Sequence, residues 1–530
     1  MMKQRIHVGL ASFFLFMLAA QCTFASGGSP SKKSIESISA EDARRHVTYL
    51  ASDKLLGRNT PSPELIVAGD YIIEHFKSIG LKPVNGKYYH SWYFTRVNLG
   101  PIEKNKLAFA APGKKTKAFE IKKDFIPFAE SGSANVDAEL VFLGYGIRDA
   151  EKKFDEYAGV NVKNKIVVIV QGEPLIDTAK AMRTPSSRRG WQAARFSSKI
   201  KNAVEAGALA AIVINDIYHG RPTAPRGTMW PQLNPTLPMT ALPTFIPTRY
   251  DNKIPVINVG DEIINALFGS VQELKTLLKN IDSLRTPATK ALKGKMQVDC
   301  AMQIEPQEIR NIVGLLPGDD PKLKDELVVI GGHYDHVGGK ISTDSTDTIY
   351  NGADDNASGT TGVMEIAEAY TLNDAKPRRS MLFMAFAGEE KGLLGSKAYV
   401  DNPLFPVKQH VAMFNLDMIG RNSADTLSIG GNSRCPELAK INEEENQQIG
   451  FALQYNIESF FFRSDQASFA QEKIPVLFYF TGEHKDYHRV TDHADKINYE
   501  KLSRIARLCF LTSWRVANLD ERLPFTDITR

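Results

Sequence analysis

The fold prediction starts from the stretch Leu327-Val-Val-Ile-Gly-Gly-His-Tyr-Asp-His336. The first four residues are apolar and too few for a helix, so they predict a strand that is buried on both faces of a sheet. Other apolar runs of strand length have the same character: Met381–Phe386, Val411–Leu416 and Pro475–Phe480. Such runs are typical of parallel sheets that helices cover on both sides.

Helical patterns alternate with these strands. Their apolar residues recur at helical spacing in Thr361–Tyr370, Leu393–Val400, Pro436–Gln448 and Tyr499–Ala517. The alternation predicts an α/β domain with a mixed, mainly parallel sheet flanked by helices over residues 300–518. Residues 40–83 predict two more helices, and short alternating runs up to residue 130 predict hairpins. We assign residues 40–130 to the N-terminal part of the same domain.

A second, smaller domain is predicted between these parts, over residues 135–290. Strand-like runs at Glu139–Gly146, Lys165–Val170 and Ala210–Asn215 make it rich in β structure. Lys199–Ala206 predicts a helix within it. The proline-rich stretch Pro222–Pro247 predicts a loop.

The composition excludes several classes of protein. The chain has 530 residues, with 65 Lys and Arg against 61 Asp and Glu, so its charge gives no reason to expect nucleic acid as a partner. Four scattered cysteines exclude a disulfide scaffold and a thiolate zinc site. The numbers describe an ordinary globular protein of several domains.

The N-terminus predicts export. Residues 1–25 have the layout of a signal peptide, with Lys3 and Arg5 before the apolar run Val8–Ala20. Cleavage before Ser26 would release a periplasmic or extracellular protein. Alternatively, the loose lipobox that ends at Cys22 would attach a lipid anchor there. No other stretch reaches ~18 apolar residues, so no transmembrane span is expected.

Candidate metal ligands follow the buried strands. The carboxyl ends of parallel strands meet at one edge of a sheet, where reactive groups collect. The first strand runs into His333, Asp335 and His336, the second into Glu389 and Glu390, the third into Asp417, and the fourth into the stretch Gly482–His488. The loop before a helix adds Asp354 and Asp355. Taken alone, Asp355 would be a helix N-cap and the two glutamates a solvated surface. As a set, imidazole and carboxylate groups favour Zn(II), and several carboxylates favour two ions that share one of them.

Individual roles can be predicted for the carboxylates at and around this metal site. Glu389 and Glu390 point in different directions, so one can bind metal while the other takes a proton from water. Metal-bound histidines usually donate their second ring nitrogen to a carboxylate. Asp335 is the candidate for His333, and Asp492 is a weaker candidate for His488.

The motifs GGHYDHVG, NGADDNASG, AGEEKGLLGS, NLDMIGR and DYHRVTDHADKI resemble, in this order, those of the co-catalytic zinc exopeptidases. That family includes bacterial leucyl aminopeptidases, glutamate carboxypeptidase and glutaminyl cyclases. The resemblance implies the zinc exopeptidase fold and two zinc ions per chain. It implies that His333 and Asp417 bind one ion, that Glu390 and His488 bind the other, and that Asp355 bridges them.

The resemblance also assigns catalytic roles. It makes Glu389 the general base and then the general acid. Tyr487 resembles a tyrosine that stabilises the oxyanion in some relatives, although packing is an equal alternative. Gln466 stands where many relatives have histidine, which puts in doubt any substrate contact inferred from relatives there. Residues 135–290 are similar to a protease-associated domain, through short runs such as Tyr157–Val162.

The expected function is therefore that of a secreted dizinc aminopeptidase. It would hydrolyse N-terminal residues from peptides through a water that bridges the two ions. A glutaminyl cyclase with one zinc, and a carboxypeptidase or dipeptidase, are the alternatives on the same fold. The oligomeric state and the preferred N-terminal residue have no signal in the sequence.

Overall fold

The computed structural model describes residues 29–174, 191–217, 224–225, 230, 233, 244–247, 253–284, 287–339 and 346–527. The expected signal peptide and Cys22 lie outside these residues. The chain forms two compact units. Among the described residues, the first unit combines those up to Trp92 with those from Ile309 onwards, and the second lies within Tyr93–Glu308.

The centre of the first unit is a group of parallel strands. Their order across the sheet is Ser380–Phe386, Leu327–His333, His410–Leu416 and Val476–Phe480, and every residue in them is buried. Met302–Leu316 joins one side antiparallel, and Thr426–Gly430 joins the other side antiparallel, followed by Ala452–Gln454. The four predicted strands thus exist and form the parallel centre of a mixed sheet. The predicted fold class is confirmed.

Helices cover this sheet. They are Lys32–Ser37, Ala40–Leu50, Pro63–Ser78, Gly359–Leu372, Leu394–Asp401, Pro436–Asn446, Gln466–Gln471 and Tyr499–Ala517. Several begin at polar caps: Ser39 and Ser62 accept hydrogen bonds from backbone N–H groups of the first turn, and Asn498 does so for the last helix. Tyr499–Ala517 buries most of its length, including Leu508 and Trp514. The helices predicted in residues 40–83 and after residue 360 are present.

The second unit contains an eight-stranded sheet. Its order is Lys117–Phe119, Lys106–Ala110, Lys290–Cys300, Ala134–Phe142, Ile166–Val170, Ala210–Ile214, Val256–Val259 and Phe125–Pro127. The helices Phe196–Glu205, Asp261–Phe268 and Val271–Leu284 accompany it. Separate apolar clusters lie on its two faces, one around Val168 and Ile212 and one around Val167 and Val213.

Two predictions about this region need correction. Residues 93–130, assigned above to the peptidase domain, lie in the second unit, because Lys106–Ala110 pairs with Lys290–Cys300 and Phe125–Pro127 pairs with Val256–Val259. The proline-rich stretch is not all loop. Thr244–Pro247 is a strand that pairs antiparallel with residues 94–97. It lies at a sheet edge, where a missing proline N–H is tolerated.

Two predictions about the chain as a whole concern its helices and cysteines. None of the helices in the described parts of the chain is both long enough and apolar enough to cross a membrane. Cys300, Cys435 and Cys509 are buried free thiols.

Candidate metal centre and active site

The candidate ligands lie where the central strands end. His333 is the last residue of its strand, and Asp417 directly follows the strand that ends at Leu416. Glu389 and Glu390 come a few residues after Phe386. A tight segment, Ala353–Ser358, carries Asp355 into the helix Gly359–Leu372, and every residue of this segment is buried.

One cluster forms around His333. Its Nε2 atom lies 3.3 Å from Asp355 Oδ1, 3.5 Å from Asp417 Oδ1 and 4.0 Å from Glu389 Oε2. The histidine is 1% exposed, and Asp417 Oδ1 is buried without a hydrogen bond in the described chain. An unpaired buried carboxylate oxygen is costly, which fits a cation at this position.

A second cluster forms around His488. Its Nε2 atom lies 3.0 Å from Asp355 Oδ2 and 3.1 Å from Glu390 Oε2. The two carboxylate oxygens of Asp355 thus face different clusters. This is the arrangement that a bridging ligand requires, and the mixture of imidazole and carboxylate donors fits zinc.

The pKa values of Glu389 and Asp355 are shifted in opposite directions. Burial raises the pKa of Glu389 well above its ordinary value, and the nearby Asp417 carboxylate adds to the increase. Burial would also raise the pKa of Asp355, but hydrogen bonds with His333 and His488 hold it well below its ordinary value. Carboxyls whose pKa values are driven apart are suited to different roles, one as a proton carrier and one as a permanent anion.

Asp335 lies behind His333 and faces its Nδ1 atom with both its main chain and its carboxylate. His333 Nδ1 is 3.1 Å from the backbone carbonyl of Asp335 and 3.7 Å from its Oδ1. The carboxylate also accepts hydrogen bonds from the Glu389 backbone N–H, at 3.2 Å, and from Thr60 Oγ1, at 2.8 Å. Asp335 therefore helps to orient both His333 and the backbone of Glu389.

Asp492 lies beneath the segment that carries Asp355. Its Oδ2 accepts the backbone N–H groups of Asp354, at 2.9 Å, and Asp355, at 3.2 Å, and its carbonyl accepts that of Ala353. Burial raises the pKa of Asp492 to about 6. The structure thus places Asp492 against the backbone of the bridging residue, a role that differs from the predicted partner of His488.

Comparison with known families decides the assignment of the two units. Residues 311–513 match peptidase family M28, and residues 136–267 match the PA domain. The chain carries a peptidase family M28 domain. The predicted resemblance to zinc exopeptidases with an inserted protease-associated domain is confirmed.

Individual relatives match over part of their length. A probable zinc metalloprotease of Pyricularia oryzae is 26% identical over 262 residues, which cover 40% of this chain and 51% of that protein. A probable leucine aminopeptidase of Trichophyton verrucosum is 27% identical over 206 residues, or 37% of this chain and 55% of that protein. The chain thus spans about half the length of these curated relatives.

A solved structure is similar over most of the chain. The aminopeptidase from Aneurinibacillus sp. strain AM-1 is 21% identical, with a TM-score of 0.47, and the similarity covers 94% of this chain and 98% of that one.

Arg58, in the same unit as the M28 match, supports the site, and its role was not predicted from sequence. It is fully buried, and its guanidinium donates to the carbonyls of Tyr334, at 2.8 Å, Asn351, at 2.8 Å, and Gly352, at 3.0 Å. It therefore ties the loop after His333 to the segment before Asp355. The only sequence signal was its place in the N-terminal run Leu50–Arg58, which resembles relatives.

His336 is a second residue of the M28 domain without a predicted role. Its Nδ1 atom lies 2.7 Å from Glu390 Oε1 and 3.7 Å from Asp355 Oδ2. Its presence three residues after His333 was visible in the sequence. Chain spacing alone could not show which cluster it would face.

A pocket opens beside His333 and Glu389. Its wall includes the apolar side chains Met418, Phe460, Phe478 and Phe480. Arg463 and Glu483 also line it and form an ion pair with 2.9 Å between Nη2 and Oε1.

Tyr487 and Gln466 lie at different depths near this pocket. The Tyr487 ring lines the pocket and stacks on His488, with ring centroids 4.0 Å apart, so both of its predicted roles stay open. Gln466 is fully buried. It donates to the Phe461 carbonyl and accepts from Asn415 Nδ2, so its side chain links two groups inside the fold.

Proposed function

We propose that this protein is a secreted zinc aminopeptidase that removes N-terminal residues from peptides with two zinc ions per chain. The observation that carries the proposal is the placement of the Asp355 carboxylate, whose oxygens lie 3.3 Å from His333 Nε2 and 3.0 Å from His488 Nε2. His333 and Asp417 would hold one ion with Asp355, and Glu390 and His488 would hold the other. The M28 match and the named zinc metalloprotease and aminopeptidase relatives support this proposal.

Zinc bound there would act as a Lewis acid that polarises the scissile carbonyl and lowers the pKa of water toward ~7. Glu389 is the proton carrier in this proposal. It takes a proton from the attacking water and returns it to the leaving amine. Its raised pKa suits this exchange, and the hydrogen bond from its N–H to Asp335 fixes its backbone.

The pocket beside Glu389 favours an apolar N-terminal side chain. Met418, Phe460, Phe478 and Phe480 offer apolar surface, and burying a Leu or Phe side chain there contributes about 1.5–3 kcal/mol. The buried carboxylates of Glu389 and Asp417 border the same pocket and offer partners for the cationic α-amine of a peptide.

The decisive experiment is a panel of matched peptides assayed with zinc and with chelator. Peptides with a free N-terminal Leu or Phe should be cleaved, and N-acetylated versions of the same peptides should resist. Cleavage of the acetylated peptides would contradict the aminopeptidase proposal. Their cleavage from the C-terminal end would instead indicate the carboxypeptidase alternative.

Metal stoichiometry addresses the cyclase alternative. Elemental analysis of the purified protein should find two zinc ions per chain. One zinc ion, together with cyclisation of N-terminal glutamine, would favour a glutaminyl cyclase.

Export is a separate part of the proposal, which the layout of residues 1–25 supports. Mass spectrometry of the mature N-terminus should find Ser26 as its first residue or lipid on Cys22. An intact N-terminus on the active protein in the cytoplasm would contradict export.

A further inference from the structure

We propose that His336 is an additional ligand of the metal that Asp355, Glu390 and His488 bind. This inference rests on the proposed function, because it requires the dinuclear site. The second ion would then be held by four protein groups, whereas the ion at His333 would be held by three: His333, Asp417 and the shared Asp355.

The positions of the donor atoms support this assignment. One donor atom from each of His336, Asp355, Glu390 and His488 lies within 4.8 Å of the others. With zinc bonds of about 2.0–2.1 Å, neighbouring donors in a tetrahedral shell lie about 3.3 Å apart. His336 Nδ1 is 2.7 Å from Glu390 Oε1 and 3.7 Å from Asp355 Oδ2. These distances bracket the tetrahedral value.

The ring of His336 is fixed in this orientation. The residue is fully buried, and a Cβ atom added at Gly352 would lie 2.6 Å from ring atoms of His336, so the backbone at Gly352 packs directly on the ring. Its Nε2 atom makes no hydrogen bond within the described chain. The polar contacts of the ring are therefore with Glu390 and Asp355, two residues that are already proposed as metal ligands.

An asymmetric dinuclear centre follows from this ligand count. Zinc with four protein ligands is typical of closed sites, and zinc with three keeps a position open. The open position would belong to the ion at His333, on the side where Glu389 Oε2 lies 4.0 Å from His333 Nε2. The site containing His336 should therefore fill first when zinc is limiting.

The test uses the full-length protein, stripped of metal and loaded with one equivalent of zinc. X-ray absorption should find two imidazoles around zinc in the wild type and one in His336→Gln. Chelator competition should show the tighter of two binding steps weakened at least 100-fold in His336→Gln. His493→Ala, which removes a half-exposed histidine paired with Asp347, should leave both measurements unchanged.

The outcomes separate the possible failures. An unchanged imidazole count and unchanged affinity in His336→Gln would overturn the inference, since glutamine can keep a hydrogen bond to Glu390 but is a poor zinc ligand. A wild-type stoichiometry of one zinc would overturn the dinuclear proposal itself. His336→Asn provides the same comparison if the first variant does not fold with the circular dichroism spectrum of the wild type.

Discussion

Glu389 and Glu390 are neighbours in the chain but contact different groups. Glu390 is 3.1 Å from His488 Nε2, and Glu389 is 4.0 Å from His333 Nε2 and borders the pocket. Consecutive residues just past a strand end project in different directions, which allows one to bind metal and the other to move a proton. The different roles proposed for the two carboxylates thus depend on where each single side chain lies.

The first prediction concerns Glu389→Gln. Glutamine has nearly the same shape but cannot accept the proton, so kcat should fall about 10²–10⁴-fold while zinc content stays at the wild-type level. Steady-state kinetics and elemental analysis provide the two measurements. Full activity in this variant would show that another group carries the proton. Glu472→Gln, on an exposed residue, serves as the matched control.

At the scale of elements, the segment Ala353–Ser358 determines where Asp355 points. It is held from two sides: Asp492 accepts the N–H groups of Asp354 and Asp355, and Arg58 donates to the carbonyls of Asn351 and Gly352. A bridging ligand must present both oxygens at once, so metal affinity should depend on how firmly this segment is held in place.

The second prediction follows for Asp492→Ala. The substitution removes no proposed ligand but leaves two buried N–H groups without their acceptor, so zinc affinity should fall about 10–100-fold. Competition with a chromophoric chelator measures this. Asp495→Ala changes an exposed carboxylate nearby and should retain wild-type affinity. Equal affinity in the two variants would show that the segment holds its shape without Asp492.

The third prediction concerns the helix Gly359–Leu372 and its buried Glu365. Burial raises the pKa of this carboxyl from 4.5 to about 8, so the folded chain keeps a proton that the unfolded chain releases. The stability that this proton contributes is fully present below pH 4.5 and is lost as the pH rises through about 8.

Glu365→Gln should remove this dependence, because glutamine is neutral at every pH. The difference in Tm between the variant and the wild type should shift in favour of the variant between pH 5 and pH 8. Thermal unfolding followed by circular dichroism measures it. A constant difference across that range would show that Glu365 does not titrate there. Glu368→Gln, on a less buried carboxyl of the same helix, is the comparison.

At the scale of the whole molecule, the metal should stabilise one unit and not the other. Every proposed ligand lies in the unit that contains the M28 match, and the second unit has apolar clusters of its own. Removing the cations would leave the carboxylates of Asp355, Glu389, Glu390 and Asp417 close together with only the neighbouring imidazoles to offset their charge.

The fourth prediction is that chelation lowers the Tm of one calorimetric transition and leaves another unchanged. Zinc at a free concentration of 100 times Kd would stabilise the first unit by about 2.7 kcal/mol for each site. Differential scanning calorimetry with chelator and after zinc is restored measures this. Equal shifts of all transitions would show that the units unfold together.

The central strands and the groups at their ends follow from the amino-acid sequence alone. Continuous apolar runs of strand length place apolar side chains on both faces of a strand. Such strands suit a sheet that is covered on both faces, so Leu327–His333 and its neighbours were predictable. The motif order predicted the family, and the composition excluded thiolate zinc. These are local properties, set by periodicity and by residue type.

The packing of distant segments sets which atoms face one another. Nothing in the chain spacing shows that Asp335 uses its carbonyl for His333, that Asp492 lies under Asp355, or that His336 faces Glu390. The unit boundary at residue 93 depended on strand pairing between segments far apart in the chain. Such contacts arise when distant segments pack together, and their geometry is set by that packing rather than by the residues next to them in sequence.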